Sequence, residues 1–181
     1  TDPSRMEPAM AFSNAKGRLK WPVRGAKLKG FGEPDGPTGM ARGLTIATRA
    51  GARVTSPADA WVVYAGPFRS YGQLIILNAG DGYHVLLAGL EKIDVELGQF
   101  VLAGEPVGAM RAASEPEAKG ERAAGDQLSL YVEFRKDSVP IDPSPWWATT
   151  EEPTRQGALP DGNALRLFAA TDNVRQTAFS R

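Results

Sequence analysis

The sequence predicts an all-β fold, an antiparallel β-sandwich or barrel. Short runs rich in β-branched and aromatic residues recur from residue 42 to residue 110, and turns containing Gly or Pro separate them. The clearest strand lies at 129–135, where Leu130, Val132 and Phe134 alternate with polar residues. Because successive strand side chains point to opposite faces, these three are expected in the core. The polar set is expected on a solvated face or on the floor of a groove, and it comprises Ser129, Tyr131, Glu133 and Arg135.

The same signals predict the other strands in chain order. Five of them span residues 43–47, 54–57, 60–66, 71–78 and 83–88. The last two flank the sequence Ala-Gly-Asp-Gly, which is typical of a hairpin turn. The glycine-bounded segments 98–101 and 104–108 predict a second tight hairpin.

We expect one domain with an extension at either end. The predicted boundaries are a lead-in at 1–17, a domain at 18–147 and a tail at 148–181. The lead-in is polar with scattered apolar residues, so it is expected to pack loosely. Trp146 and Trp147 are expected to anchor the end of the domain. Residues 111–126 carry no apolar side chain larger than alanine and predict a flexible surface loop, whereas residues 163–170 of the tail are compatible with a short helix.

Composition excludes several classes of function. The 21 Lys and Arg residues balance the 21 Asp and Glu residues, so the net charge gives no attraction to nucleic acid. The absence of cysteine excludes thiolate metal ligands and cysteine nucleophiles. No apolar run is long enough to span a bilayer, so we expect no membrane insertion.

Several motifs occur in one order along the chain. They are Gly-Ala-Arg-Val-Thr-Ser-Pro-Ala at 51–58, Ser-Tyr-Gly-Gln-Leu-Ile-Ile at 70–76, Gly-Asp-Gly-Tyr-His at 80–84 and a glycine-bounded run at 98–108. With these motifs, residues 18–147 resemble the LytM domain of the lysostaphin-type zinc peptidases. The resemblance implies that family's fold, an antiparallel β-structure of the duplicated hybrid motif type.

The resemblance also implies where the family's metal and catalytic residues fall. Active members hold zinc with a His-x-x-x-Asp pair and the last His of a His-x-His strand, and a further His assists catalysis. By resemblance these positions are Ala41, Thr45, Gly89, Ser129 and Tyr131. None carries the imidazole or carboxylate that zinc requires, and the single histidine, His84, is expected to be structural. We therefore expect a degenerate LytM domain that has no metal, no cofactor and no peptidase activity.

Among metal-free relatives, the chain resembles murein hydrolase activators of the EnvC type. The shared segments include Trp-Pro-Val-Arg-Gly at 21–25 and the strand at 129–135. The resemblance implies a groove that binds a helix of a periplasmic N-acetylmuramoyl-L-alanine amidase in a Gram-negative bacterium, and so promotes cell-wall cleavage at the division septum. The implied groove residues are Arg42, Thr45, Tyr71, Leu74, Tyr131 and Arg135. That family docks on a division-site transporter complex through an N-terminal coiled coil, which these residues do not include.

Two other classes of function are compared with amidase activation. A non-catalytic peptidoglycan-binding module would use the same groove for glycan or stem peptide. A biotinyl or lipoyl carrier would share the glycine-bounded hairpin around residues 101–107, but it needs a lysine at the tip. The nearest candidate triplet, Ala109-Met110-Arg111, offers a guanidinium, which is not acylated. The sequence therefore favours amidase activation, with peptidoglycan binding as the alternative.

Overall fold

The computed structural model describes residues 7–70, 72–113 and 128–149, and no α-helix occurs among them. The prediction of an all-β, antiparallel fold is confirmed. The chain divides into two units, Thr1–Ala148 and Thr149–Arg181. The helix predicted at 163–170 and most of the loop predicted at 111–126 lie outside the described residues. In the described part, no helix is long and apolar enough to cross a membrane.

The described residues form thirteen strands in three sheets. In chain order the strands are β1 (Ala26–Lys29), β2 (Pro34–Asp35), β3 (Gly39–Met40), β4 (Leu44–Thr48), β5 (Arg53–Thr55), β6 (Ala60–Pro67), β7 (Gln73–Gly80), β8 (Tyr83–Leu90), β9 (Lys92–Ile93), β10 (Phe100–Val101), β11 (Pro106–Ala109), β12 (Leu128–Lys136) and β13 (Val139–Ile141). The largest sheet has the order β1-β4-β12-β8-β7-β6-β10, and β13 pairs with β12. A second sheet has the order β5-β11-β9, and β2 and β3 form a ribbon.

The hydrophobic core lies on one face of the large sheet. Leu130, Val132 and Phe134 of β12 are fully buried there, as the alternation predicts. Val54 of β5 and Val107 of β11 are fully buried in the same cluster, so the second sheet contributes to the core. The central strand β12 therefore has one face committed to the core and leaves the other for a site.

The N-terminal segment closes one end of this core, so the expectation of loose packing there is wrong. Phe12, in a 3₁₀ helix at Phe12–Ala15, is only 2% exposed. Its ring lies 5.2 Å from that of Phe134 and 5.4 Å from that of Trp146, between centroids. The Trp146 indole N–H donates to the Phe12 carbonyl oxygen at 2.9 Å. Trp146 anchors the end of the domain as predicted, but it does so on a residue of the lead-in.

Of the two predicted hairpins, one is confirmed and the other is wrong. β7 and β8 pair, and Asp81 and Gly82 join them at positive φ (53° and 79°), the backbone of a type I′ turn. β10 and β11 do not pair with each other: β10 pairs with β6, and β11 lies between β5 and β9. Val101 and Val107 are both fully buried, so burial between two sheets outweighs the local hairpin.

Candidate functional site

The large sheet presents a second set of side chains on the face opposite the core. These residues alternate with core residues such as Val85, Leu87 and Val132, and the strand register places them side by side. We call this surface the outer face, and its residues are Thr45, Leu74, Ile76, Asn78, His84, Leu86, Ala88, Tyr131, Glu133 and Arg135. Each is buried or half-buried, so the outer face is not a plain solvated surface.

Four of the five predicted metal or catalytic positions come together near one end of the outer face. Thr45 of β4 lies directly opposite Tyr131 of β12. Gly89, at the end of β8, backs onto Ser129, because a Cβ at Gly89 would lie 2.8 Å from the Ser129 carbonyl oxygen. The fifth position, Ala41, is buried on the segment that leads into β4.

Tyr131 lies at the centre of this cluster, and its ring packs against the backbone of Gly43. A Cβ at Gly43 would be 3.0 Å from two ring carbons of Tyr131 and 2.3 Å from the Val132 carbonyl oxygen, so only glycine leaves room for the ring. Burial, and then the Glu133 carboxylate, raise the pKa of the Tyr131 phenol above its ordinary value of 10.0. Arg135 and Arg42 oppose that rise only in part. The phenol therefore stays protonated at neutral pH.

Glu133 decides between the two alternatives left open for the polar residues of β12, because it does not lie on a plain solvated face. It is 4% exposed, and its carboxylate holds the two neighbours that share its face. The Tyr131 hydroxyl donates to Glu133 Oε1 at 2.8 Å, and the Arg135 Nε–H donates to Glu133 Oε2. A buried carboxylate is tolerated when a cation and hydrogen bonds compensate its charge, and both are present here. Tyr131, Glu133 and Arg135 thus form one network along β12.

The side chains at the predicted metal positions do not fit zinc. Catalytic zinc takes about three imidazole, thiolate or carboxylate donors from the protein. The only acidic group among the five positions is the Tyr131 phenol, which stays protonated and donates its hydrogen to Glu133. His84 lies opposite Arg135, whose positive charge disfavours a metal ion at that position. Among the described residues, no three His, Asp, Glu or Cys side chains are grouped as a metal site requires.

The other predicted groove residues have different surroundings. Leu74 lies on the outer face opposite Ala88 but is only 5% exposed. Arg42 is exposed just before Gly43, and its charge reaches the Tyr131 phenol. Tyr71 lies outside the described residues. Exposed apolar side chains border the same surface, since Tyr64 lies opposite Ile76 and Met40 immediately precedes Ala41.

The sequence reasoning did not identify Gly43 as a residue that shapes the site, and it placed Glu133 on the polar face of β12 without giving it a role. For Glu133 a signal was available: it lies two residues from both Tyr131 and Arg135, on the same strand face. An acid between a phenol and a guanidinium at that spacing predicts hydrogen bonds among the three. For Gly43 no signal was available, because its contact with Tyr131 joins two distant parts of the chain.

Comparisons with known proteins identify a family and several relatives. Residues 39–143 match the family model of peptidase family M23. The chain is 28% identical over 131 residues to murein hydrolase activator EnvC of Escherichia coli, covering 72% of the chain and 29% of that protein. It is 32% identical over 142 residues to cell division protein DipM of Caulobacter vibrioides, covering 75% of the chain and 22% of that protein. The chain thus spans less than a third of the length of either relative.

The fold likeness extends to a solved peptidase. The catalytic domain of the antimicrobial peptidase lysostaphin from Staphylococcus simulans superposes with a TM-score of 0.53 at 24% identity, covering 66% of this chain and 90% of that domain. At that identity the likeness shows the fold alone. The proteins that this chain resembles therefore include one named as an activator and one named as a peptidase.

Proposed function

The chain belongs to peptidase family M23, and from its site we propose that it is a non-catalytic activator of periplasmic N-acetylmuramoyl-L-alanine amidases. It would act in the periplasm of a Gram-negative bacterium by binding an amidase helix and so promoting cell-wall cleavage during division. The observation that carries the proposal is the Tyr131–Glu133–Arg135 network, which ties up Tyr131, one of the five positions that the resemblance assigns to metal or catalytic residues. Relatives named as a murein hydrolase activator and a cell division protein support it.

The chemistry of the site favours binding over catalysis. Family-type hydrolysis needs a metal-bound hydroxide as the nucleophile, and the donors at the five positions do not fit the metal. The remaining hydroxyl groups, on Thr45, Ser129 and Tyr131, have no imidazole beside them to act as a base; the single histidine, His84, lies opposite Arg135 instead. We infer that cleavage is performed by the partner.

The outer face has the features of a surface that receives an amphipathic helix. Its middle rows are apolar, with Ile76, Leu86 and Ala88 half-buried side by side. Arg42 and Arg135 flank Tyr131, and Tyr and Arg are the residue types that most often dominate binding energy. A helix with apolar residues at i, i+3, i+4 and i+7 and carboxylates beside them would match this arrangement.

The test is release of dye from labelled sacculi by the chain alone, by a purified periplasmic amidase alone, and by the two together. We expect the chain alone to release nothing, with or without added zinc, and to raise release by the amidase. Release by the chain alone that a chelator abolishes would overturn the proposal. Sedimentation with sacculi in the absence of amidase, without any stimulation of the amidase, would favour the peptidoglycan-binding module instead.

A further inference from the structure

Glu133 is the one carboxylate among the outer-face residues, and it is not available to a partner. Its side chain is 5% exposed. Both of its oxygens accept hydrogen bonds from within the chain, one from Tyr131 and one from Arg135. A ligand therefore meets Glu133 only through these two side chains.

Arg135 is held by one nitrogen and keeps the rest of its donors. A guanidinium carries five N–H groups, and only the Nε–H is used by Glu133. The side chain is 37% exposed, so part of it remains accessible to a ligand. On either side Arg135 faces His84 of β8 and Pro140 of β13, neither of which carries a carboxylate. The free side of the guanidinium is suited to a planar anion, because a carboxylate can accept two parallel N–H bonds from it.

We infer that Glu133 is a positioning residue, which fixes the Arg135 guanidinium beside Tyr131 so that it receives a carboxylate of the bound partner. The inference rests on the proposed function, in that the partner is taken to be an amidase. Fixing the side chain in advance reduces the conformational entropy lost on binding, which is how preorganisation increases affinity. Glu133 would thus raise affinity without touching the partner.

Glu133→Gln separates this role from a merely structural one. The glutamine has the same shape, and its Oε1 can still accept the hydrogen bond from Tyr131. A neutral amide has one oxygen, so it cannot accept from Tyr131 and Arg135 through two oxygens as the carboxylate does, and Arg135 loses the charge-assisted bond that holds it. The folded state keeps its packing, whereas the guanidinium is released.

The experiment is a double-mutant cycle on affinity for a purified periplasmic amidase, using Glu133→Gln, Arg135→Ala and the double variant. We expect Glu133→Gln to weaken binding roughly tenfold, which is about 1.4 kcal/mol. The double variant should bind no more weakly than Arg135→Ala, because Glu133 acts through Arg135. Glu105→Gln is the matched control, since Glu105 accepts a hydrogen bond from the Leu102 N–H away from the outer face.

A second readout needs no partner. In ¹H–¹⁵N spectra of the free protein, the Arg135 Nε–H signal should be protected from exchange in the wild type and lose that protection in Glu133→Gln. If wild type and Glu105→Gln bind amidase but Glu133→Gln binds equally well, the inference is wrong and the proposed function stands. Additive effects in the double variant would also overturn it. Failure of the wild type to bind any periplasmic amidase would overturn the proposed function, and this inference with it.

Discussion

Reversing the charge of Arg135 is expected to destabilise the fold as well as the site. Arg135→Glu removes the cation that compensates Glu133 and places a second carboxylate beside it. Removing one partner of a buried ion pair costs about 3–5 kcal/mol. Because 37% of the Arg135 side chain is exposed, water will screen the new charge, and we expect the lower end, roughly 3 kcal/mol.

The measurement is urea unfolding followed by tryptophan fluorescence, at neutral pH and at about pH 4, close to the ordinary range of carboxyl groups. The loss should be largest at neutral pH, where the introduced carboxylate is charged. It should shrink on acidification, because protonating the introduced carboxylate removes its negative charge. The double variant Glu133→Gln/Arg135→Glu should recover most of the stability, since the glutamine amide can donate to the new carboxylate.

A control and two contrary results complete this test. Arg49→Glu makes the same charge change at an exposed position and should unfold close to the wild type. If Arg135→Glu also unfolds at the wild-type urea concentration, Glu133 is not held by Arg135 in solution. If its loss of stability is equal at both pH values, the cause is packing and not charge.

Three further predictions follow from single contacts. Gly43→Ala should cost about 1–3 kcal/mol of folding free energy by urea unfolding, because its Cβ would lie 2.3 Å from the Val132 carbonyl oxygen; Gly66→Ala, where the nearest atom is 3.4 Å away, should cost clearly less. Because the pKa of the Tyr131 phenol is raised in the fold, the phenol contributes stability that is complete below about pH 10 and is lost as the pH rises above that value. Wild-type stability should therefore fall more steeply in alkali than that of Tyr131→Phe, and phenolate absorbance measures the ionisation. Phe12→Ala should cost about 3–5 kcal/mol, whereas Met10→Ala, at a side chain 41% exposed, should cost little; equal melting temperatures for the two would mean that the lead-in does not pack on the core.

Local patterns were sufficient to predict the parts of the fold that local chemistry determines. The alternation of β12 predicts its core residues, because successive side chains point to opposite faces of the strand and the apolar face is the one that is buried. The turn at Asp81 and Gly82 predicts its hairpin, because few residues adopt the required positive φ. The strands that pair with β10 and with β11 could not be predicted in this way, since the paired residues are up to 56 positions apart in the sequence. Phe12 and Trp146 are a stronger case, because they are 134 positions apart in the sequence.

The proximity of Thr45 and Tyr131 could be predicted from the sequence, but the energetics of their surroundings could not. The resemblance brought Thr45 and Tyr131 into one site, and the register places them opposite each other. It treated each of the five predicted positions separately, so Gly43 and Glu133 received no role in the site. Whether Glu133 is solvated or buried depends on hydrogen-bond geometry along the strand, which alternation does not contain. For this reason a substitution at Arg135 that appears harmless from the sequence is expected to destabilise the protein.

The proposed absence of zinc has a consequence for the energetics of the outer face. The cation at a metal site offsets the free energy lost when its ligand side chains are desolvated. Removing the metal alone would leave half-buried polar groups whose desolvation is not compensated. Here the five positions carry small or neutral side chains, and the one charged acid nearby is matched by a guanidinium from its own strand. Among the described residues no buried polar side-chain atom is left without a partner. The described side chains of this face therefore satisfy one another's polar groups. A surface whose internal charges are already satisfied can devote its remaining donors, those of Arg42 and the free side of Arg135, to another protein.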